Sequence, residues 1–423
     1  MGITIALPTL HAGQVECYKA RKRWNRVRCG RRWGKTKQIV TIGANDATKR
    51  KKVAIIAPEH KQLYEIYDEL IGILSPIKRR ASKTEGTIRT TTGGVVDFWA
   101  LNDNELACRG REYDRILGDE IAFTKLRQMQ GIWRKSIKPT LLTTRGDAWI
   151  FSTPNGIDPD NFFFNPDDGE EWNDFHAPTS SNPMVPPEEI ERERLTNHPL
   201  VFKQEFLAEF VDWSGVQFFD LQSFLVNGAP VPIPDRVDGV FAIIDSATKT
   251  GKEHDGTGVV YCSIQRVPQP RLVILDYDLV QIEGALLETW LPTVYQNLEA
   301  LARETNARAG SMGVMIEDKA SGMILLQQAQ RRGWGARPID SALTSVGKDE
   351  RAISVSGYVY QGLVKFSDRA YNKNVVFKGR SKNHLVDQIT SFKIGDKDQK
   401  RADDLTDCMT YAISVALGNS RGF

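Results

Sequence analysis

The chain has 423 residues, too many for one ordinary domain and enough for two. With 41% hydrophobic and 26% charged residues, the composition is that of a globular protein and excludes a disordered chain, a collagen-like repeat or a coiled-coil rod. Lys and Arg number 56 and Asp and Glu 53, so the formal net charge is only +3. Any contact with nucleic acid must therefore come from local basic patches, such as 49–52 and 78–80.

No apolar run approaches the roughly 18–20 residues that span a bilayer, so no membrane partner is expected. The first residues lack the basic region and apolar core of a secretory signal. The five cysteines show neither a CxxC pair nor the spacing of a zinc site, which favours reduced, buried thiols in a cytoplasm.

The first half of the chain alternates predicted strands and helices. A strand at Arg26–Cys29 leads into a glycine-containing turn and a helix from about Lys35. Further along, the pattern predicts a strand at Lys52–Ala57, a helix at Gln62–Leu74, a hairpin of Thr87–Thr91 with Val95–Leu101, and strands at Arg115–Gly118 and Ala148–Ser152. This alternation indicates an α/β fold with a mostly parallel sheet covered by helices on both faces.

The second half begins with a loop-rich stretch, 173–199, that contains one short helix at Glu188–Thr196. A second α/β pattern then follows, with strands at Val240–Ile244, Gly258–Ile264, Arg271–Asp278 and Val314–Ile316, a helix at Gly284–Thr305 and a final helix at Asp403–Leu417. We expect two unlike domains, 1–210 and 239–423, joined by a Pro- and Gly-rich linker at 211–238.

Residues Cys29–Thr36 read CGRRWGKT, close to the phosphate-binding pattern GxxxxGK[ST]. In that pattern backbone N–H groups cradle phosphates, the Lys neutralises their charge and the hydroxyl ligates Mg²⁺. The alternative is a basic loop with a chance match, since Cys29 stands where the pattern has its first glycine. The candidate nucleotide contacts are Gly30, Arg31, Arg32, Trp33, Gly34, Lys35 and Thr36.

Two further segments fit ATP hydrolysis. The apolar strand 115–118 is followed by Asp119 and Glu120, which suit a Mg²⁺ ligand acting through water and the general base for the attacking water. The next buried strand ends in Ser152 and Thr153, where a sensor of the γ-phosphate would lie, although the same residues also favour a simple turn.

Arginines near these segments are candidates for stabilising transition-state charge. Arg31 and Arg32 lie within the loop, and Arg109 could act from a neighbouring subunit as an arginine finger. A lone arginine before a strand is otherwise an ordinary exposed residue.

Acidic residues also follow the strands of the second half. Carboxylates at the ends of buried strands can meet and hold two Mg²⁺ or Mn²⁺ ions for phosphodiester hydrolysis, and the absence of Cys/His spacing argues against zinc. Singly, each acid is better explained as a cap or turn residue, and Asp403 as the cap of the final helix. Asp245 and Glu317 each end or follow a predicted buried strand. Repetition of acids at the ends of such strands is a signature of ribonuclease H-like nucleases. The candidate metal ligands are Thr36 and Asp119 in the first half, and Asp245, Glu317, Asp318, Asp403, Asp404 and Asp407 in the second.

These motifs together resemble the large terminase subunit of tailed bacteriophages, over nearly the whole chain. Those carrying the resemblance are Leu10–Gln14, Cys29–Thr36, Arg109-Gly110, Asp119-Glu120, Ser152–Pro154, Asp245, Ile316–Gly322 and Asp403–Asp407. A phosphate-loop motor followed by a ribonuclease H-like nuclease is an order that few other families share.

The resemblance implies an N-terminal P-loop (ASCE-type) ATPase and a C-terminal ribonuclease H-like nuclease that package double-stranded DNA into a prohead and cut the concatemer. It further implies an adenine contact by Gln14, a nucleotide-reading role for Arg31 and a role in trans for Arg109. The implied cofactors are ATP and Mg²⁺, with Mn²⁺ in the nuclease. The implied partners are the portal, a small terminase subunit and a pentameric ring, in the host cytoplasm.

Three alternatives remain. One is an ATP-dependent DNA helicase or translocase without nuclease activity, which would have no use for the second set of acids. Another is a ribonuclease H-like transposase regulated by ATP, which would join strands at specific sites. A structural virion protein is the third, and it would leave both sets of catalytic residues idle.

Overall fold

The structure is a computed structural model that describes residues 3–102, 104–125, 128–166, 169–214, 217–246, 256–281, 287–318, 321–395 and 403–418. It divides into two compact units, the first formed by Met1–Arg194 and Pro199–Asp212 and the second by Leu195–His198 and Trp213–Phe423. Within the described residues, no helix combines the length and apolarity needed to cross a lipid bilayer. The predicted linker 211–238 contains Phe224, which is fully buried and belongs to the second unit. A linker function for 211–238 stays a prediction.

The described part of the first unit contains an eight-stranded sheet in the order β3-β4-β5-β2-β6-β7-β1-β8. All neighbours from β5 to β8 pair in parallel, and only β3 and β4 are antiparallel to their neighbours, as the pattern of strands and helices predicts. The strands are β1 Trp24–Cys29, β2 Lys52–Ala57, β3 Lys78–Ser82, β4 Thr87–Thr90, β5 Val95–Ala100, β6 Arg115–Gly118, β7 Asp147–Ser152 and β8 Asn173–Ala177.

Both faces of this sheet are covered. In β2, Val53 and Ile55 belong to one apolar cluster, and Ala54 and Ile56 belong to another on the opposite face. A strand buried on both sides reads as a continuous apolar run, which explains why the sequence predicts this strand correctly. The helices up to residue 212 are α1 Ala12–Lys19, α2 Lys35–Thr48, α3 His60–Ile73, α4 Gln128–Ile132, α5 Pro187–Thr196 and α6 Pro199–Glu205.

Strand β8 lies within the stretch that the sequence analysis interprets as loop-rich. It pairs in parallel with β1 and ends the sheet, with Ala177 beside Cys29. Because an edge strand is covered on fewer sides, its sequence NDFHA needs no apolar run, and only Ala177 in it is fully buried.

The described part of the second unit contains a six-stranded sheet in the order β13-β12-β9-β10-β11-β14, and a separate pair β15-β16. Strand β9 is antiparallel to β10 and parallel to β12, so acids that follow β9 and β12 lie at the same edge. The strands are β9 Gly239–Asp245, β10 Thr257–Gln265, β11 Arg271–Val280, β12 Ser311–Ile316, β13 Ala336–Pro338, β14 Val364–Phe366, β15 Val375–Phe377 and β16 Arg380–Lys382.

Helices pack against this sheet and position the acids of the final helix. Helix α7 packs against β9 and β12, whereas α13 packs against β9, β10 and β11 and against α10. The predicted helix 284–305 begins outside the described residues, and its described part is α7. The helices are α7 Leu287–Glu304, α8 Ser321–Arg331, α9 Ser341–Thr344, α10 Lys348–Tyr360, α11 Asp368–Asn372, α12 His384–Ser391 and α13 Asp404–Leu417.

Candidate active sites

The predicted phosphate-binding loop lies between β1 and α2. Cys29 is the buried last residue of β1, so the loop begins at Gly30. Arg32 and Gly34 have positive φ angles of 61° and 101°, which turn the chain before α2 begins at Lys35. Gly34 is the N-cap residue and has no side chain to accept the first helical N–H groups. The loop therefore presents backbone donors at a helix N-terminus, an arrangement suited to phosphate.

The loop backbone is held by two residues that the sequence analysis missed. The Thr179 hydroxyl donates to the Arg31 carbonyl over 2.8 Å, and the Asn182 amide donates to the Arg32 carbonyl over 2.7 Å. A Cβ atom at Gly30 would lie 2.4 Å from the Thr179 hydroxyl oxygen, so this position requires glycine. Both residues are polar and follow β8, the edge strand that runs parallel to β1. This position after a neighbouring parallel strand is the signal that could have identified them.

Gln14 also contacts the loop. Its side-chain N–H donates to the Gly34 carbonyl over 2.8 Å, and its Oε1 accepts the backbone N–H of His11 over 3.0 Å. Trp33 is fully buried and donates its indole N–H to the Ser181 hydroxyl over 2.9 Å. Gln14 thus lies at the loop, while its contact with adenine stays a prediction.

Three predicted motifs meet at the carboxyl ends of β1, β6 and β7. Lys35 Nζ lies 2.6 Å from Glu120 Oε1. The Thr36 hydroxyl donates to Asp119 Oδ2 over 3.4 Å, and the Ser152 hydroxyl donates to Glu120 Oε2 over 3.3 Å. The lysine and threonine of the loop, the two acids after β6 and the hydroxyl that ends β7 therefore form one site.

Burial and mutual repulsion shape the electrostatics of this site. Burial, and then the charge of Glu120, raise the pKa of Asp119 to about 7. Burial by itself disfavours the Lys35 ammonium, but the adjacent Glu120 and Asp119 outweigh it and raise its pKa. Glu120 has the left-handed angles φ 53° and ψ 38°, which are uncommon for a residue with a side chain and often mark functional positions.

The three candidate arginines are arranged differently from one another. Arg31 Nε donates to Glu205 Oε2 over 2.5 Å, which ties the loop to the end of α6. Arg32 and Arg109 are exposed, and Arg109 lies in the turns that follow β5. The role of Arg109 in trans stays a prediction. Thr153, by contrast, is buried beside the site.

In the second unit, the predicted acids of β9 and β12 lie side by side. Asp245 is the last residue of β9, and Glu317 directly follows β12. The two strands pair Ile244 with Ile316, and the Glu317 N–H donates to the Ile244 carbonyl over 3.3 Å. Parallel neighbours thus deliver both carboxylates to one edge of the sheet.

Helix α13 brings two more acids to this edge. Asp404 and Asp407 are buried, and the Gly256 N–H donates to Asp404 Oδ2 over 3.2 Å. Burial, followed by the charges of Asp407, Asp404 and Glu317, raises the pKa of Asp245 well above its usual range. The four carboxylates are therefore close enough to repel one another.

Two basic residues of α10, which the sequence analysis did not single out, face these acids. Arg351 pairs with Asp407 Oδ1 and donates through Nε to the Thr410 hydroxyl over 3.0 Å. Lys348 Nζ lies 2.6 Å from Asp403 Oδ2 and 3.2 Å from Asp407 Oδ2. A charged helix start such as KDER is typical of a solvated face, so the sequence carries no signal for this contact.

These side chains line a cavity of about 390 Å³. Tyr411 donates its hydroxyl to Glu317 Oε1 over 3.1 Å. The candidate Asp318 is exposed and is not among the lining residues. Those are Asp245, Ser246, Glu317, Thr344, Ser345, Val346, Gly347, Lys348, Arg351, Asp403, Asp404, Asp407 and Tyr411.

The sequence predicts the position of Asp403 at the N-cap of the final helix correctly, but not the contact that its side chain makes. Asp403 stands at the N-cap position of α13, but its side chain accepts no hydrogen bond from the helix. Its carboxylate is bound to Lys348 instead. An ion pair with a residue 55 positions away has replaced the local hydrogen bond that the sequence favours.

The donor set of the cavity suits a hard divalent cation, because five carboxylates, Asp245, Glu317, Asp403, Asp404 and Asp407, line it. As the side chains stand, however, the described residues include no group of three or more His, Cys, Asp or Glu side chains arranged to hold a metal ion. The chemistry thus fits a cation, but the carboxylates would have to rearrange to bind it.

Comparison with known proteins agrees with the sequence resemblance. No protein-family model matches the chain. A large terminase subunit of Escherichia phage T5 is 26% identical over 175 residues, which are 40% of this chain and 39% of that protein. The chain thus aligns with well under half the length of this curated relative.

Solved structures show the fold. A large terminase from a thermophilic bacteriophage matches 97% of this chain and 100% of its own, with a TM-score of 0.65 and 13% identity. The same phage protein in complex with ATP-gamma-S matches 95% of this chain and 98% of its own, with a TM-score of 0.61 and 13% identity. The predicted fold class and the resemblance to large terminases are confirmed.

Proposed function

We propose that the chain is the large subunit of a viral terminase, which translocates double-stranded DNA into a prohead with ATP and cuts concatemeric DNA with a metal-dependent nuclease. The observation that carries this proposal is the presence of two chemically different sites on a terminase fold. Lys35, Thr36, Asp119 and Glu120 meet in the first unit. A cavity lined by carboxylates lies in the second unit.

In the first site, the loop N–H groups and Lys35 would bind the phosphates of ATP, and Thr36 and Asp119 are the residues that would hold Mg²⁺, which would neutralise phosphate charge. Glu120 accepts the proton of the attacking water. Its carboxylate is bound by Lys35 and by Ser152 in this structure. Because the phosphates attract the same lysine, binding of ATP loosens the Lys35–Glu120 pair and frees the base. Ser152 is positioned to pass that change on to β7.

In the second site, Asp245, Glu317, Asp404 and Asp407 would hold divalent cations, Mg²⁺ or Mn²⁺, with Asp403 or Asp318 as further candidates. Such cations activate water and stabilise the charge that develops on a phosphodiester. Tyr411 orients Glu317 through its hydroxyl, and Arg351 holds Asp407. Because none of the described residues that line the cavity belongs to an element that reads bases, we expect cutting with little sequence preference.

The remaining parts of the proposal follow from the resemblance. They comprise a motor domain at 1–210, a linker at 211–238 and a nuclease domain at 239–423. They also comprise a pentameric ring on the portal, a small terminase subunit as partner and action in the host cytoplasm. The exposed residues Lys78, Arg79 and Arg80 of edge strand β3 are candidates for DNA contact. Binding through such a patch weakens steeply with salt.

A DNA translocase without nuclease activity is the second candidate. The observation that favours it is that the described residues include no ready-made group of metal ligands. The two candidates differ in a single activity, so one paired assay separates them.

The test measures ATP hydrolysis and plasmid cleavage with Mg²⁺ or Mn²⁺ on the same preparations. Lys35→Ala and Glu120→Gln should abolish ATP hydrolysis, because they remove phosphate neutralisation and the base. Asp245→Ala should abolish cleavage and leave ATP hydrolysis intact, since the two sites lie in different units. Cleavage that persists in chelator or in Asp245→Ala would refute the metal-dependent nuclease site, and a wild-type protein that hydrolyses ATP without cleaving plasmid would favour the translocase.

A further inference from the structure

Lys348 is an unusual residue to find at the start of a helix. It is the first residue of α10, and Asp349 and Glu350 follow it in the first turn. The N-terminus of a helix carries partial positive charge, which favours acids and disfavours an ammonium group. The orientation of Lys348 is therefore set by the carboxylates it contacts, Asp403 and Asp407, and not by its own helix.

Arg351, one turn further along α10, is bound differently. Its side chain is only 4% exposed, donates to Asp407 and Thr410 and lies over the ring of Tyr411 at 4.0 Å. Lys348, by contrast, is 53% exposed on a flexible stem and contributes a single ammonium group. Arg351 is thus a fixed partner of the cavity, and Lys348 is a partner that can leave.

Both carboxylate oxygens of Asp407 are engaged by cations. Arg351 pairs with Oδ1, and Lys348 lies 3.2 Å from Oδ2. The same ammonium binds Asp403, one helical turn before Asp407, so it bridges the two side chains. Lys348 and a divalent cation would therefore compete for the second oxygen of Asp407.

We propose that Lys348 is a tethered counter-ion of the nuclease cavity, which holds Asp403 and Asp407 in the metal-free protein and is displaced when a divalent cation binds. This inference rests on the proposed nuclease function. A monovalent ammonium gives way to a divalent cation because the latter carries twice the charge to the same oxygens. Lys348 thus lowers the affinity for the cation and stabilises the metal-free protein.

The test is direct titration of the full chain with Mn²⁺, without nucleotide or DNA, followed by electron paramagnetic resonance of the free ion. Lys348→Met should bind Mn²⁺ about fivefold more tightly, the factor that corresponds to about 1 kcal/mol for a partly exposed ion pair. Lys348→Arg keeps a cation at this position and should stay near the wild-type affinity. Lys382→Met, which removes an exposed ion pair with Asp387, is the matched control and should not change it.

Thermal unfolding gives a second readout that does not depend on catalysis. In chelator, Lys348→Met should melt below the wild type, because Asp403 then loses its counter-ion and repels Asp407, whose remaining counter-ion is Arg351. Saturating Mn²⁺ should raise its melting temperature by more than it raises that of the wild type. A Lys348→Met protein with wild-type Mn²⁺ affinity and wild-type stability in chelator would overturn the inference.

Asp245→Asn separates this inference from the function on which it rests. If Asp245→Asn weakens Mn²⁺ binding while Lys348→Met leaves it unchanged, the metal site stands and the role of Lys348 is refuted. If Asp245→Asn binds Mn²⁺ as the wild type does, the proposed nuclease site is itself refuted. Weaker binding by Asp245→Asn together with tighter binding by Lys348→Met supports both.

Discussion

Asp119→Asn should stabilise the nucleotide-free protein, and the gain should grow with pH. Burial, together with the charge of Glu120, raises the pKa of Asp119 from 3.8 to about 7. The folded protein therefore holds this proton more tightly than the unfolded chain does. The stability associated with Asp119 is complete below the unfolded pKa and is lost as the pH rises through 7. Asparagine cannot ionise, so it avoids the loss and can still accept the Glu120 N–H through Oδ1.

The size of the gain in stability follows from the shift in the pKa of Asp119. A difference of about three pKa units, at about 1.4 kcal/mol each, costs the wild type about 4 kcal/mol at pH 8. At pH 5 the cost is about 1.5 kcal/mol, because the folded protein is still protonated and only the unfolded chain is ionised. For a unit of this size, 1 kcal/mol moves the melting temperature by about 2–4 °C. Asp119→Asn should therefore melt about 10 °C above the wild type at pH 8 and about 4 °C above it at pH 5.

The assay is thermal unfolding of the full chain in chelator, without nucleotide, from pH 5 to pH 8. Asp160→Asn, which replaces an exposed carboxylate of the same unit, is the matched control. A difference between Asp119→Asn and the wild type that is the same at both ends of the range would refute the reasoning. The pKa of Asp119 would then not be raised by its surroundings.

Two further predictions concern Gly30 in the predicted phosphate-binding loop and Arg109, the residue proposed to act on a neighbouring subunit. Gly30→Ala should destabilise the protein by about 1–3 kcal/mol and reduce ATP binding, since its Cβ would lie 2.4 Å from the Thr179 hydroxyl and 2.5 Å from the Phe206 carbonyl. Gly131→Ala, inside α4 and with no atom within 4 Å of the added Cβ, should neither lower the stability to chemical denaturation nor weaken nucleotide binding. Arg109→Ala should leave nucleotide binding intact and slow ATP hydrolysis at least tenfold only when subunits are assembled. An equal loss in dilute protein would contradict a role in trans.

Much of the arrangement of the two candidate sites was predictable from the sequence because it depends on local rules. Lys52–Ala57 is a strand with the predicted bounds, since a strand buried on both faces must be apolar throughout. Acids that directly follow such strands lie at the carboxyl edge of a parallel sheet, so Asp119, Asp245 and Glu317 are at the edges where the sequence predicts them. Spacing along a helix likewise brings Asp404 and Asp407 to one cavity.

Only the tertiary structure decided which residues contact the loop and the acids. Thr179 and Asn182 hold the phosphate-binding loop from about 150 positions away, and Lys348 and Arg351 reach Asp407 from more than 50 positions away. Hydrogen bonds and ion pairs between distant residues produce no periodic pattern in the sequence. A polar residue that faces solvent and a polar residue that faces a buried carboxylate have the same neighbours along the chain, so the sequence does not distinguish them. The sequence by itself determined the strands and the acids at their ends. The packing of α10 against α13 decided which charges those acids meet, since it places Lys348 and Arg351 beside Asp407.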